Sequence, residues 1–224
     1  MRFVTIIPAR GGSKRFPRKN ITDFLGVPLI VHSITESLNC GKICRTFVST
    51  DDEDIKKIST NAHAEIIDRP IALGGDLTTT VDVLQHCAKT LIGLGVEFDY
   101  IVLLQATNPL RPNKLLDTAI DIIESGVYDS LFTVSPCCRK LGRITDGHFL
   151  PWNYHYGQRS QDMEPLYYEN GLLYISSKQL VLEGRIMGDN IFPMIVEDIY
   201  GTVDIDTKED MDYAEFIANR YPKC

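Results

Sequence analysis

Phe3-Val4-Thr5-Ile6-Ile7-Pro8-Ala9-Arg10-Gly11-Gly12-Ser13-Lys14-Arg15 is the stretch on which the architecture of this chain turns. It opens with a continuous aromatic and β-branched run closed by Pro8, the pattern of a strand buried on both faces. Glycines and cations follow at once. In an open α/β sheet, ligands bind in the loops that leave the carboxyl ends of the strands. The same stretch therefore nominates a central strand and the loop most suited to a site.

Working outward, strand and helix patterns alternate. Leu29, Ile30, Ile34 and Leu38 have the spacing of an amphipathic helix with Pro28 near its first turn. Thr46–Ser49 reads as a second strand. Asp51 or Asp52 can cap a helix reaching about Asn61, and Ala64–Ile67 gives a short strand. Thr80–Leu94 is helical in period, with Asp76 or a threonine as its cap, and Tyr100–Leu104 is the most apolar strand of the chain. A helix over Pro112–Ser125 precedes a strand over Ser130–Val134. This alternation predicts an α/β fold with a mostly parallel sheet covered by helices on both faces. It lapses at about 137–166, a glycine- and aromatic-rich excursion that reads as a small β-rich dimerisation arm inserted in a single domain over 1–224. Leu172–Ile175, Ile191–Val196 and Gly201–Ile205 return to strand character, and a helix over Thr207–Arg220 closes the chain.

Composition narrows the classes of function. A length of 224 residues with 44% hydrophobic content suits one substantial core. No apolar run is long enough to span a bilayer, and Pro8, Arg10 and Gly11 interrupt the apolar stretch a secretory leader requires. The six cysteines form no C-x-x-C pair and the five histidines add no zinc-ligand spacing. A soluble, unprocessed cytoplasmic protein with reduced thiols and no membrane partner is expected. The formal net charge of −7 argues against nucleic-acid binding, which needs a basic face. Cations are instead local: Arg10, Lys14, Arg15, Arg18 and Lys19 crowd one segment, and acids crowd the carboxyl-terminal end.

Gly11 and Gly12 would let the backbone approach a phosphate, and the neighbouring cations can neutralise one. The loop is neither G-x-x-x-x-G-K-[ST] nor G-x-G-x-x-G. A generic basic loop is the alternative. At the other end, Asp204 and Asp206 of Val203-Asp204-Ile205-Asp206-Thr207 would share a face if the segment were a strand, with Val203 and Ile205 inward. Asp206 or Thr207 capping the final helix, aided by Glu209 and Asp210, is the competing explanation.

Read as a pattern, Ala9-Arg10-x-x-Ser13-Lys14-x-x-x-x-Lys19-Asn20 resembles the A-R-x-x-S-K-x-x-x-x-K-N signature of the CMP-sialic acid synthetase (acylneuraminate or nonulosonate cytidylyltransferase) family. The resemblance implies a Rossmann-like domain of the nucleotide-diphospho-sugar transferase type. It implies that Arg10 and Lys14 contact the phosphates of CTP, with Gly11, Gly12, Ser13 and Lys19 supporting the same loop and Asn20 beside the cytosine end. It extends through Arg69-Pro70-Ile71-Ala72-Leu73-Gly74-Gly75-Asp76-Leu77-Thr78-Thr79-Thr80, where Arg69 and Thr80 would read the nucleotide. Gln105-Ala106-Thr107-Asn108-Pro109-Leu110-Arg111 is similar to the family's Q-P-T-S-P-L-R, which places Gln105 and Arg111 at the sugar, although an N-cap before Pro112 also explains polar residues there. Arg159, Gln161 and Asn170 resemble R-x-Q-D and E-N-G segments, in which an arm of one subunit helps close the other's site. A solvated hairpin is the alternative for these. The D-x-D of Asp204 and Asp206 matches the family's metal segment and would hold Mg²⁺, a hard cation that prefers oxygen ligands.

The activity so implied joins CTP to an acidic nine-carbon sugar, giving the CMP-sugar and pyrophosphate, in a homodimer with shared active sites. Lys14, Arg10, Asp204 and Asp206 would be the catalytic set, positioning the reactants and neutralising charge. Two alternatives remain: a KDO cytidylyltransferase, whose acidic Q-G-D-E-P loop Gln105–Pro109 lacks, and a nucleotide-binding regulatory module without turnover. N-acetylneuraminate, KDN, legionaminate and pseudaminate are the sugars among which the sequence does not choose.

Overall fold

The computed structural model describes residues 1–75 and 77–223. Its strands are β1 (Phe3–Pro8), β2 (Asp23–Phe24), β3 (Val27–Pro28), β4 (Ile43–Thr50), β5 (Glu65–Asp68), β6 (Tyr100–Leu103), β7 (Ser130–Cys137), β8 (Gly142–Thr145), β9 (His148–Pro151), β10 (Leu166–Ser177) and β11 (Ile191–Ile195). The α-helices are α1 (Leu29–Asn39), α2 (Glu53–Asn61), α3 (Thr80–Gly93), α4 (Leu115–Glu124), α5 (Lys178–Leu182) and α6 (Lys208–Arg220). Seven strands make one sheet in the order β11-β7-β10-β6-β1-β4-β5. β1 lies parallel to β4 and β6, β4 to β5, and β11 to β7, while β10 is antiparallel to both its neighbours. The mostly parallel sheet anticipated from the alternation is the one found. Its reversed strand follows from the excursion: the chain leaves the carboxyl end of β7 and returns from that same end, so β10 can pair with β7 only in the opposite sense.

Period-two alternation in β1 divides the core. Phe3 and Ile7 join Ile30 and Ile34 of α1 and Leu116, Ala119, Ile120 and Ile123 of α4 on one face. Val4 and Ile6 meet Val83, Leu84, Ala88 and Leu91 of α3 on the other. The polar exception, Thr5, is fully buried and receives a 2.6 Å hydrogen bond from Ser37 Oγ, itself 2.7 Å from Thr46 Oγ1, so no hydroxyl of the trio is stranded. A third cluster packs Val203 and Ile205 against Met211, Ala214 and Ile217 of α6. It anchors the acidic segment to the body.

Helix starts follow their side-chain chemistry. Asp52 Oδ1 accepts from Ile55 N at 2.9 Å, and Thr79 with Asp82 and Thr207 with Asp210 form reciprocal capping boxes. Of the caps offered for α3, Thr79 serves, and Asp76 lies outside the described residues. The last helix is likewise capped by Thr207, which leaves Asp206 available for other work.

One expected strand is absent. Residues Ile199–Thr202 form a 3₁₀ turn capped by Asp198, and 203–206 continue without strand pairing. Ile205 N instead donates to Thr107 O at 2.8 Å, and Val203 O accepts from Asn108 Nδ2 at 2.8 Å. Backbone groups so engaged with a loop cannot join a ladder. The inward–outward alternation survives nonetheless: Val203 and Ile205 are fully buried, Asp204 is exposed and Asp206 is half-buried. Within the 137–166 excursion, β8 and β9 pair only with each other, away from the main sheet.

Candidate active site

A cavity of about 260 Å³ opens beyond β1, β4 and β6, lined by Arg10, Ser13, Lys19, Asn20, Arg69, Thr80 and Thr107 among others. Residues from the segments after β1, β5 and β6 meet there because parallel strands deliver their following loops to one edge. Asn20 is buried and its Nδ2 donates to Arg10 O at 3.1 Å, folding the glycine loop back on itself. Gly11 N donates to Asp51 Oδ1 at 3.1 Å, and a Cβ on Gly11 would fall 2.6 Å from Asp52 Oδ2. Glycine at this position is required by the close approach to the α2 cap. Gly12 instead faces open space, with no atom within 4 Å of where a Cβ would lie. Lys14 is exposed, on the same loop, beyond the cavity wall.

Arg69 is buried and donates from Nη2 to Ser49 O at 2.6 Å and from Nε to Ser49 Oγ at 3.3 Å. Burial draws its guanidinium below the ordinary range, Cys87 and Asp51 oppose this, and the charge of Arg10 adds to the lowering. Two cations close enough to disfavour one another, on the wall of one cavity, form a place that an anion would relieve.

The basic loop and the acidic segment touch. Lys19 is 8% exposed, and its Nζ donates to Ile205 O at 2.7 Å and to Asp206 Oδ1 at 2.8 Å. Arg15 Nη2 reaches Asp206 Oδ2 at 2.6 Å. Asp204, beside them, has its carboxyl pushed above the ordinary carboxylate value. Partial loss of water is the main cause; a hydrogen bond from Thr107 lowers it, the Asp206 charge raises it and Lys19 lowers it. Tyr174, pushed up to about 12 by burial and by Glu169, also feels Asp204. Its hydroxyl donates to Glu169 Oε2 at 3.2 Å.

Three fasteners therefore hold the acidic segment: Asn108 on Val203 O, Thr107 O on Ile205 N, and Lys19 on Ile205 O. Thr107 and Arg15 were not singled out from sequence as site residues. The signal for Thr107 is its place in the loop that follows the most apolar strand, two positions after Gln105.

Two residues assigned to the sugar are internal instead. Arg111 has no exposed surface: Nε donates to Leu172 O at 2.8 Å, Nη1 to Ser33 Oγ at 3.0 Å and Nη2 to Gln105 O at 2.9 Å. With its fork spent on binding α1, β10 and its own loop together, it has no donor aimed at a ligand. Burial pulls it down to about 10, which leaves it charged at neutral pH, with Glu36 supporting that charge. Asn170 is 5% exposed; its Oδ1 accepts from Thr133 Oγ1 at 2.6 Å and from Leu172 N at 3.1 Å, and its Nδ2 donates to Ser135 Oγ at 2.9 Å. It fills the irregularity in β10 between Glu169 and Tyr174. Gln105 is half-buried, outside the cavity wall, and its backbone carbonyl is the atom that Arg111 uses. Arg159 and Gln161 are exposed on the excursion, Arg159 paired with Asp162 at 2.7 Å.

The sequence model of the cytidylyltransferase family matches residues 4–219. The pseudaminic acid cytidylyltransferase of Campylobacter jejuni is 31% identical over 97% of this chain and 96% of its own length. The CMP-N,N'-diacetyllegionaminic acid synthase of Legionella pneumophila is 30% identical over 94% and 93%. In fold, the chain is similar to a solved structure of CMP:2-keto-3-deoxy-manno-octonic acid synthetase complexed with CTP, with a TM-score of 0.75, 16% identity and coverage of 98% and 99%. A family match over nearly the whole length, together with relatives at 30–31% identity that are covered almost end to end, shows that the chain belongs to the cytidylyltransferase family, among the CMP-nonulosonic acid synthetases.

Proposed function

We propose that the protein transfers CMP from CTP to the anomeric hydroxyl of an acidic nine-carbon sugar of the sialic-acid class. The sugar oxygen forms a bond to the α-phosphorus, the bond from that phosphorus to pyrophosphate breaks, and the hydroxyl proton passes to solvent. The observation that carries this reading is the contact of Lys19, on the cavity wall, with Asp206 at 2.8 Å, joined by Arg15 at 2.6 Å, which sets the acidic segment beside the basic loop and so supports a shared site for phosphate and metal. Arg10, Arg69 and the glycine loop bind and orient the triphosphate. Lys14, exposed beside it, neutralises the charge that grows on the departing pyrophosphate.

Asp204 and Asp206 fit Mg²⁺. They are hard oxygen donors close together in sequence, and the partial loss of water that raises the Asp204 carboxyl is a cost that a bound cation would offset. Among the described residues no group of three or more His, Cys, Asp or Glu side chains is assembled for a metal, so phosphate oxygens and water would complete the coordination. Bound there, the ion would polarise the phosphate and shield the approach of the hydroxyl.

The working unit is a homodimer. β8 and β9 expose Ile144 at 78%, Phe149 at 44% and Leu150 at 52%, and Trp152 and Tyr156 just beyond them are exposed as well. A lone two-stranded hairpin is marginal in water, and an exposed apolar patch of this kind marks an interface. Arg159 and Gln161 on the same excursion would then reach the partner's sugar site. Among the described residues no helix is long and apolar enough to cross a membrane, and Cys40, Cys44, Cys87, Cys137 and Cys138 are free thiols, which supports a cytosolic setting.

The deciding experiment is pyrophosphate release with CTP and Mg²⁺ against a panel of pseudaminate, legionaminate, N-acetylneuraminate, KDN and KDO. Release that requires a nine-carbon acid is expected. Release with KDO alone, or CTP binding without release for every acid, would overturn the reading.

A further inference from the structure

Asp206 enters its proposed metal-binding role already occupied. Lys19 holds Oδ1 at 2.8 Å and Arg15 holds Oδ2 at 2.6 Å. The two cations differ in kind. The Lys19 side chain is 9% exposed and is pinned a second time by Ile205 O, so it belongs to the fixed frame of the acidic segment. The Arg15 side chain is 71% exposed and sits two residues beyond Ser13 on the cavity wall. An exposed guanidinium pairs weakly with a carboxylate that is itself one-third exposed, and a divalent ion displaces it readily. Once displaced, its planar fork is matched to phosphate oxygens, and the cavity that Ser13 lines, two residues away on the same loop, offers a place for them.

Resting on the function proposed above, we propose that Arg15 is an exchangeable stand-in for the metal: it occupies Asp206 Oδ2 while the nucleotide is absent and passes to the triphosphate when the metal–nucleotide complex binds. The exchange gives Asp206 a second cation beside Lys19 while the metal is absent. It also ties metal entry to nucleotide entry, because the incoming phosphate offers Arg15 the partner that the metal takes away. Arg15 is then a positioning residue in the free state and a phosphate ligand in the bound one. Lys19 keeps its contacts throughout.

The test measures Mn²⁺ binding to the nucleotide-free, full-length protein by electron paramagnetic resonance, alongside CTP binding with Mg²⁺ by calorimetry. Arg15→Gln is expected to tighten Mn²⁺ binding by about twofold to fivefold, the range that one exposed ion pair can withhold. It is expected to weaken CTP binding by about tenfold, the scale of one charge-assisted hydrogen bond. Arg18→Gln, which removes an equally exposed cation of the same loop paired with Asp54 at 2.7 Å, should leave Mn²⁺ binding unchanged. In an Asp206→Asn background, Arg15→Gln should add nothing to Mn²⁺ affinity, because the pair is already broken. Unchanged or weaker Mn²⁺ binding in Arg15→Gln, a gain that persists in Asp206→Asn, or undiminished CTP affinity would each overturn the proposal. The Mn²⁺ measurement uses neither CTP nor sugar, so its outcome is separate from the failure of the wild-type protein to release pyrophosphate, which would overturn the function instead.

Discussion

Replacing Arg111 by alanine separates a structural role from a sugar-binding one, since the two readings move different observables. The guanidinium is fully buried and makes three hydrogen bonds, to Leu172 O, Ser33 Oγ and Gln105 O. Ser33 Oγ donates to Gln105 O at 3.1 Å, so those two groups retain each other after the truncation. Leu172 O loses its side-chain donor, at about 1–3 kcal/mol for an acceptor left dry. The emptied volume of the side chain adds a cavity cost, while relief of a buried charge returns part of the loss. The net expectation is a destabilisation of about 3–5 kcal/mol, the scale found when one partner is deleted from a buried charged network. For a chain of this length that corresponds to a fall in melting temperature of about 6–20 °C. Arg111→Lys, with one ammonium for three acceptors, should fall between. The assay is urea unfolding followed by circular dichroism, paired with KM for CTP and for the sugar at a temperature where the variant is folded. Both KM values should stay within about twofold of wild type, far from the tenfold that one kcal-scale binding contact would move them. A variant as stable as wild type with a raised sugar KM would refute the reasoning and return Arg111 to the sugar.

Asp204→Asn should lower turnover by about 10²- to 10³-fold, as for loss of one group that stabilises transition-state charge, yet raise the melting temperature slightly at neutral pH. The sign follows from its raised carboxyl: the folded protein holds the proton more tightly than the unfolded chain, so stability from this group falls as pH rises from 3.8 through the raised value, and the cost persists above it. A lower melting temperature for the variant would contradict this, and so would a wild-type kcat/KM profile whose acid limb lies at or below 3.8. On the arm, Ile144→Arg should convert a dimer to monomers in sedimentation equilibrium, and mixing Arg159→Ala with Asp204→Asn protomers should restore part of the activity each lacks. A monomeric wild type, or mixtures no more active than their components, would remove the shared site.

Much of this architecture is legible locally. The apolar run of β1 and the alternation that follows it are decided by neighbours in sequence, and each cap is narrowed to two candidates, Asp51 or Asp52 and Asp206 or Thr207, of which the structure uses Asp52 and Thr207. The loop after β1 could likewise be nominated because a strand's carboxyl end and a cluster of cations are both sequence-visible. Arg111 and Asn170 were misplaced for the converse reason: a polar residue in a recognisable motif advertises its chemistry but not its surroundings. Whether a guanidinium meets a ligand or three internal acceptors depends on Ser33 and Leu172, which are remote in the chain.

By itself, then, the sequence determined the alternation of strands and helices from β1 to β7 and the residue types suited to a nucleotide and a metal, since these rest on periodicity and short-range chemistry. Only the tertiary structure decided that Lys19 and Arg15 meet Asp206, and that the acidic segment is held by Thr107 and Asn108 instead of by strand pairing. Those contacts join segments separated by 187 and 191 positions for Lys19 and Arg15 and by 95 for Asn108. Distance-dependent forces act between atoms in space, and sequence separation on that scale carries no information about the gap until the core has closed it.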